Sequence, residues 1–119
     1  MKVLVTGGRE FDQWALVYPI LDHFLEVADL LGEPLVIVEG GATGADFLAR
    51  VWAIWRGVDF KEMKADWDAH GNSAGAIRNR KMLQRHTPDL VVAFTGDRGT
   101  RDMVGVARYA GFHVVRVKA

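Results

Sequence analysis

Three short glycine-rich segments hold the residues best suited to chemistry: Thr6-Gly7-Gly8-Arg9, Glu39-Gly40-Gly41-Ala42-Thr43-Gly44-Ala45-Asp46 and Gly96-Asp97-Arg98-Gly99-Thr100. Glycine lacks a Cβ, so an anion can approach the backbone N–H groups closely, and an arginine beside the turn can neutralise it. Each segment also has a purely local explanation. Arg9 can be a solvated arginine after a tight turn, and Thr43 with Asp46 three residues on reads as an acidic capping box. One glycine is enough to turn a chain, however, and the second segment has three, which favours ligand approach. Thr100 is placed both to cap a helix and to donate to a phosphate oxygen. The glycine spacing matches neither the dinucleotide fingerprint nor the lysine-bearing P-loop, so NAD binding and ATP hydrolysis are disfavoured.

Two further stretches carry polar chemistry. In Asp66-Trp67-Asp68-Ala69-His70-Gly71-Asn72, Trp67 is suited to stacking on a base, whereas His70 has no metal-ligand companion at helical spacing and reads as a surface histidine. In Arg78-Asn79-Arg80-Lys81, Arg78 and Asn79 lie one turn inside a helix and can line a cleft. The carboxylates able to enter such a cleft are Glu39, Asp46 and Asp102. No metal site and no cofactor are expected.

These residues need a scaffold, and the periodicity supplies one. Val3-Leu4-Val5, Leu35-Val36-Ile37-Val38 and Leu90-Val91-Val92-Ala93-Phe94 are apolar runs of the kind buried on both faces of a parallel sheet. Residues 58–64 read as a weaker strand and residues 113–117 as a last one. Helical spacing is predicted over about 12–31, 43–55, 73–85 and 100–110, with Pro19 kinking or restarting the first helix and residues 65–72 forming a polar loop. Five strands alternating with four helices predict an α/β, doubly wound, Rossmann-like parallel sheet in one domain spanning residues 1–119. Ligands of such sheets sit beyond the carboxyl ends of the strands at the topological switch point, where all three glycine-rich segments fall.

Composition narrows the function classes. A chain of 119 residues, half of them apolar, can bury a core without a metal or disulfide staple. Fifteen basic and fifteen acidic residues cancel, so no overall field recruits nucleic acid, although Arg78, Arg80, Lys81 and Arg85 form a local basic face. The absence of cysteine removes thiolate chemistry, and no segment suits a signal peptide or a membrane span, so a soluble cytoplasmic protein with no membrane partner is expected. The second helix is apolar on almost every side, which predicts a homodimer through Trp52 and Trp55 or, failing that, burial under the first helix or the Trp67 loop.

In order along the chain, VTGGREF, EGGATGAD, ADWDAHG, AGAIRNRKML and VAFTGDRGTRDMV resemble the YspA-related branch of the SLOG superfamily over nearly the whole length. That superfamily is similar in fold to the Lonely Guy phosphoribohydrolases and to the SLOG part of DNA-processing protein A. The resemblance implies a Rossmann-like domain for nucleotides or nucleotide-derived signals. It also implies a test for catalysis. Lonely Guy enzymes use the arginine of Arg-Lys-x-x-Met and the glutamate of Pro-Gly-Gly-x-Gly-Thr-x-x-Glu to cleave an N-glycosidic bond. Here the first motif reads Arg78-Asn79-Arg80-Lys81-Met82, and in the second Met103 stands where the glutamate is expected. Methionine can neither transfer a proton nor stabilise an oxocarbenium ion. Asp102, one position away on a helix, is rotated by about a hundred degrees and replaces the glutamate only if the turn is re-registered.

The leading expectation is therefore binding of a nucleotide or nucleotide-derived ligand. Its candidate contacts are Gly7, Gly8, Arg9, Gly40, Gly41, Thr43, Gly44, Asp46, Trp67, Arg78, Asn79, Gly96, Gly99 and Thr100. The alternatives are a nucleotide N-glycosidase with Arg78, Asp102, Asp46 or Glu39 as catalytic groups, and, less favoured, a binder of single-stranded nucleic acid.

Overall fold

The computed structural model describes residues 1–118. Strands β1 (Lys2–Thr6), β2 (Val36–Glu39), β3 (Asp59–Glu62), β4 (Leu90–Ala93) and β5 (Val114–Arg116) form one parallel sheet in the order β3-β2-β1-β4-β5. The crossovers are α1 (Trp14–Leu31), α2 (Ala45–Arg56), α4 (Ala74–His86) and α5 (Arg98–Tyr109), with a one-turn α3 (Trp67–His70) ahead of α4. The order reverses between β1 and β4, the switch point of a Rossmann-like α/β fold, as the alternation of elements predicts.

Strand residues alternate between the two faces, and the core divides accordingly. Val3, Val5, Ile37 and Val92 pack with Val17 and Leu21 of α1 and Ala49 and Trp52 of α2. Leu4, Val38 and Val91 pack on the other face with Met82 and Leu83 of α4 and Met103 and Ala107 of α5. Both faces of the central strands are thus apolar, which is why they read as unbroken hydrophobic runs.

Four local expectations are corrected. Helix α1 is continuous through Pro19. The proline removes one hydrogen-bond rung near the N-terminal end, and burial of Val17 and Leu21 outweighs that loss. Residues 67–73 are not plain loop: the Asp66 carboxylate accepts from the Ala69 N–H at 3.0 Å and starts α3, which a 3-10 turn (Gly71–Ser73) joins to α4. Neither threonine caps a helix, since α2 starts after Gly44 and α5 after Asp97, neither with a side-chain cap bond. Trp52 is fully buried beneath α1, its indole N–H donating to Asp22 Oδ1 at 2.9 Å, so it offers nothing to a second copy, whereas Phe47, Ile54 and Trp55 of the same helix stay exposed.

Candidate functional site

The three glycine-rich segments do meet at the carboxyl edge of the sheet, but most of their glycines face protein. Gly44 has φ +76° and ψ −130°, and a Cβ there would land on the Gly8 carbonyl oxygen. A Cβ on Gly7 would come within 2.5 Å of the Ala45 Cβ, one on Gly40 would strike the Arg78 guanidinium, and one on Gly96 would strike the Thr100 hydroxyl. The loops lie against one another, and the bonds between them follow. Gly8 N–H donates to Thr95 O at 3.0 Å, Ala45 N–H to Gly8 O at 3.3 Å, and the Thr43 hydroxyl to Arg9 O at 2.9 Å. The excess of glycine therefore reflects loop-on-loop packing at Gly7, Gly40, Gly44 and Gly96. Gly99, in the first turn of α5, is the exception, with open space beside it.

The donors of the second segment are also occupied. Asp46, only 5% exposed, accepts from Gly40 N–H at 3.1 Å and Ala42 N–H at 3.3 Å, while Glu39 accepts from Gly41 N–H at 3.0 Å. Two of the chain's own carboxylates thus fill the nest that the sequence assigns to phosphate. Burial pushes the Asp46 carboxyl above its ordinary value, against the opposing pull of the Ala42 N–H and Arg78. Glu39 is fully buried and lies in register with Glu62 on β3; its Oε1 is 3.3 Å from the Arg50 guanidinium, which also holds Glu62 at 3.1 Å. Burial raises the Glu39 pKa to about 7; the Gly41 N–H opposes this, Glu62 and Asp46 add to it, and Arg50 opposes.

An open cleft lies instead at the switch point. Residues 8–13 on one side and 95–97 on the other enclose a cleft of about 510 Å³. The N-terminus of α5 borders it, where the unpaired N–H groups and positive dipole end of a helix favour an anion. Thr100, three residues into α5 and buried, lies against Gly96, which lines the cleft. Arg9, also on the cleft wall, places its guanidinium carbon 5.0 Å from the centre of the half-exposed Trp67 ring. Trp67 thus sits beside the site, but one ring face is already taken by a cation.

Arg78 and Asn79, expected to line the cleft, are not among the residues that enclose it, and each is held internally. Arg78 Nη1 donates to Gly40 O at 2.6 Å and its Nε donates to Asn79 Oδ1 at 3.0 Å. Burial lowers the Arg78 pKa from its ordinary value, Asp46 raises it, and Arg9 lowers it again. Asn79, 3% exposed, donates to Gly99 O at 3.3 Å and to Asp102 Oδ2 at 3.0 Å, so it fastens α4 to the first turn of α5. Asp102 is held in this network and lies 3.7 Å from Arg80, while Met103 is fully buried in the second core cluster.

The sequence reading missed Glu10, Phe11, Asp12 and Gln13 as cleft residues, although they directly follow VTGGR at the switch point. It also missed Arg50. Its spacing of four from Asp46 on α2 signalled an acid–base pair, yet the structure turns it to Glu39 and Glu62.

Comparison with known proteins places the chain. Residues 1–70 match the YspA, cpYpsA-related SLOG family. Gene 61 protein of Mycobacterium phage D29 is 36% identical over 122 residues, covering 96% of this chain and 94% of that one. The chain belongs to this SLOG family, as its motifs imply. The X-ray structure of TM1055, a structural genomics target, superposes with a TM-score of 0.67 at 22% identity over 95% of this chain and 71% of that one, a likeness of fold. Among the described residues no helix is long and apolar enough to cross a membrane.

Proposed function

We propose that this protein binds a nucleotide or nucleotide-derived phosphate ligand, in the cytoplasm, in the cleft between the β1–α1 and β4–α5 loops. The observation that carries this reading is the coincidence of an open cleft of about 510 Å³ with the N-terminus of α5 at the switch point of the sheet. The phosphate sits at residues 98–100, with Gly8, Gly96, Gly99 and Thr100 around it and Arg9 as the counter-charge. Trp67, stacked on Arg9, flanks the ligand, and Arg78 braces the neighbouring loop through Gly40 O. Gly40, Gly41, Gly44 and Asp46 support the site by holding the neighbouring loop. The grip thus comes from one helix terminus rather than three loops, because the donors of residues 40–42 are spent on Glu39 and Asp46.

Binding is favoured over N-glycoside cleavage because the position of the Lonely Guy acid is here the core residue Met103, and Asp102 is committed to Asn79 and Arg80. The test is mass spectrometry of small molecules released from the purified protein, followed by calorimetric titration of the compounds found and of a nucleotide panel. A nucleotide hit with at least tenfold weaker binding by Arg9→Ala is expected. No released compound and no hit across the panel would overturn the reading. Release of free base during incubation would favour the hydrolase.

A further inference from the structure

The residue at the end of β2 is an unusual place for a carboxylate. Glu39 is completely shielded from water, and β3 sets Glu62 directly in register with it. Like charges side by side on adjacent strands repel. Helix α2 contributes Asp46, a third carboxylate, and Arg50, a single guanidinium shared between Glu39 at 3.3 Å and Glu62 at 3.1 Å. From α4, Arg78 also faces the group, but its hydrogen bonds go to Gly40 O and Asn79. Lys64, beyond β3, lies 3.5 Å from Glu62. The β1 segment beside β2, Val3-Leu4-Val5, carries no titratable residue.

Among the described residues, the backbone group on the Glu39 carboxylate is the N–H of Gly41, at 3.0 Å, and Gly41 holds φ +73°. This bond starts a chain of contacts into the candidate cleft. The loop it fixes donates from Thr43 to Arg9 O, packs Gly44 on Gly8, and takes Arg78 on Gly40 O. A charge-assisted hydrogen bond is roughly twice as strong as a neutral one. Protonating Glu39 therefore weakens its hold on Gly41 and leaves Arg50 to Glu62, while relieving the repulsion among three carboxylates.

We propose that Glu39 is a proton-operated latch: ionised, it holds the 40–44 loop in the arrangement that positions Gly8 and Arg9, and protonated, it releases that loop. The regulatory consequence rests on the nucleotide-binding reading, because Arg9 is the counter-charge of that site. Burial and the two neighbouring carboxylates place the transition at about pH 7, against the pull of Gly41 N–H and Arg50.

The test needs no ligand, so its failure is separable from failure of the binding reading. In the intact protein, the Glu39 side-chain carboxyl is followed by carbon-13 NMR, and the Gly41, Ala42, Thr43 and Arg9 amides by nitrogen-15 NMR, from pH 5 to 9. A shared midpoint near 7 is expected. Glu39→Gln abolishes it while the remaining amides keep their shifts. Glu62→Gln, on the exposed edge strand, removes a like charge and moves the Glu39 midpoint downward, which decides the matter even if Glu39→Gln does not fold. A Glu39 midpoint in the ordinary range of 4 to 5 would overturn the latch. So would a midpoint near 7 with the loop and Arg9 amides unmoved, or one indifferent to Glu62→Gln.

Discussion

Replacing Gly44 by alanine separates the two explanations of the glycine-rich loops. The residue sits at φ +76° and ψ −130°, where a side-chain-bearing residue costs about 1–3 kcal/mol. Its new methyl would occupy the place of the Gly8 carbonyl oxygen, so the β1–α1 loop must move. Overpacking of this kind costs about 1–3 kcal/mol, and loss of the 3.3 Å bond from Ala45 N–H to Gly8 O about 1 kcal/mol more. A destabilisation of about 5 kcal/mol is the expected sum, a large share of the roughly 5–15 kcal/mol that holds a domain together. With an m value of about 2 kcal/mol/M, the urea midpoint falls by about 2.5 M. Gly99→Ala is the matched control. Its Cβ meets nothing within 4 Å and its backbone is helical, so stability stays within about 0.5 kcal/mol of wild type, on the favourable side, while ligand binding weakens. Urea unfolding followed by circular dichroism measures both. A Gly44→Ala protein with a wild-type midpoint and only a binding defect would refute the packing account and restore ligand approach as the reason for that glycine.

Stability should also depend on Glu39 and pH. Its pKa rises from 4.5 to about 7 on folding, so the folded state binds the extra proton. The stabilisation this gives is complete below the unfolded value and is lost as pH rises through about 7. Relative to Glu39→Gln, the wild type therefore loses about 3 kcal/mol between pH 4 and pH 8, seen as a widening gap in urea midpoints; a constant gap across that range would contradict the shift. Introducing the Lonely Guy acid as Met103→Glu places a carboxylate at a fully buried core position. It should cost about 3–5 kcal/mol and yield no release of base from nucleoside monophosphates by chromatography; a stable, active variant would show that residue 103 can reach the cleft.

Much of the architecture was legible in the sequence. Apolar runs at 3–5, 35–38 and 90–94, each closed by glycine and followed by helical spacing, left a parallel Rossmann-like sheet as the economical arrangement, and its switch point had to lie beside those glycines. The ordered motifs likewise marked the family. Local rules failed wherever a partner distant in sequence took over. Thr43 looked like a helix cap, yet its hydroxyl is 34 residues away from the backbone oxygen it serves. Trp52 looked like interface until α1 covered it with Asp22.

The sequence by itself determined which residues would gather at the carboxyl edge of the sheet, because strand alternation and chain chirality leave few alternatives. Only the tertiary structure decided what those residues do there. Hydrogen-bond donors are satisfied by whatever acceptor folding brings closest, and for Gly40, Gly41 and Ala42 that acceptor is the chain's own Glu39 or Asp46. The cleft beside α5 stays open, and it is there that we propose the ligand binds.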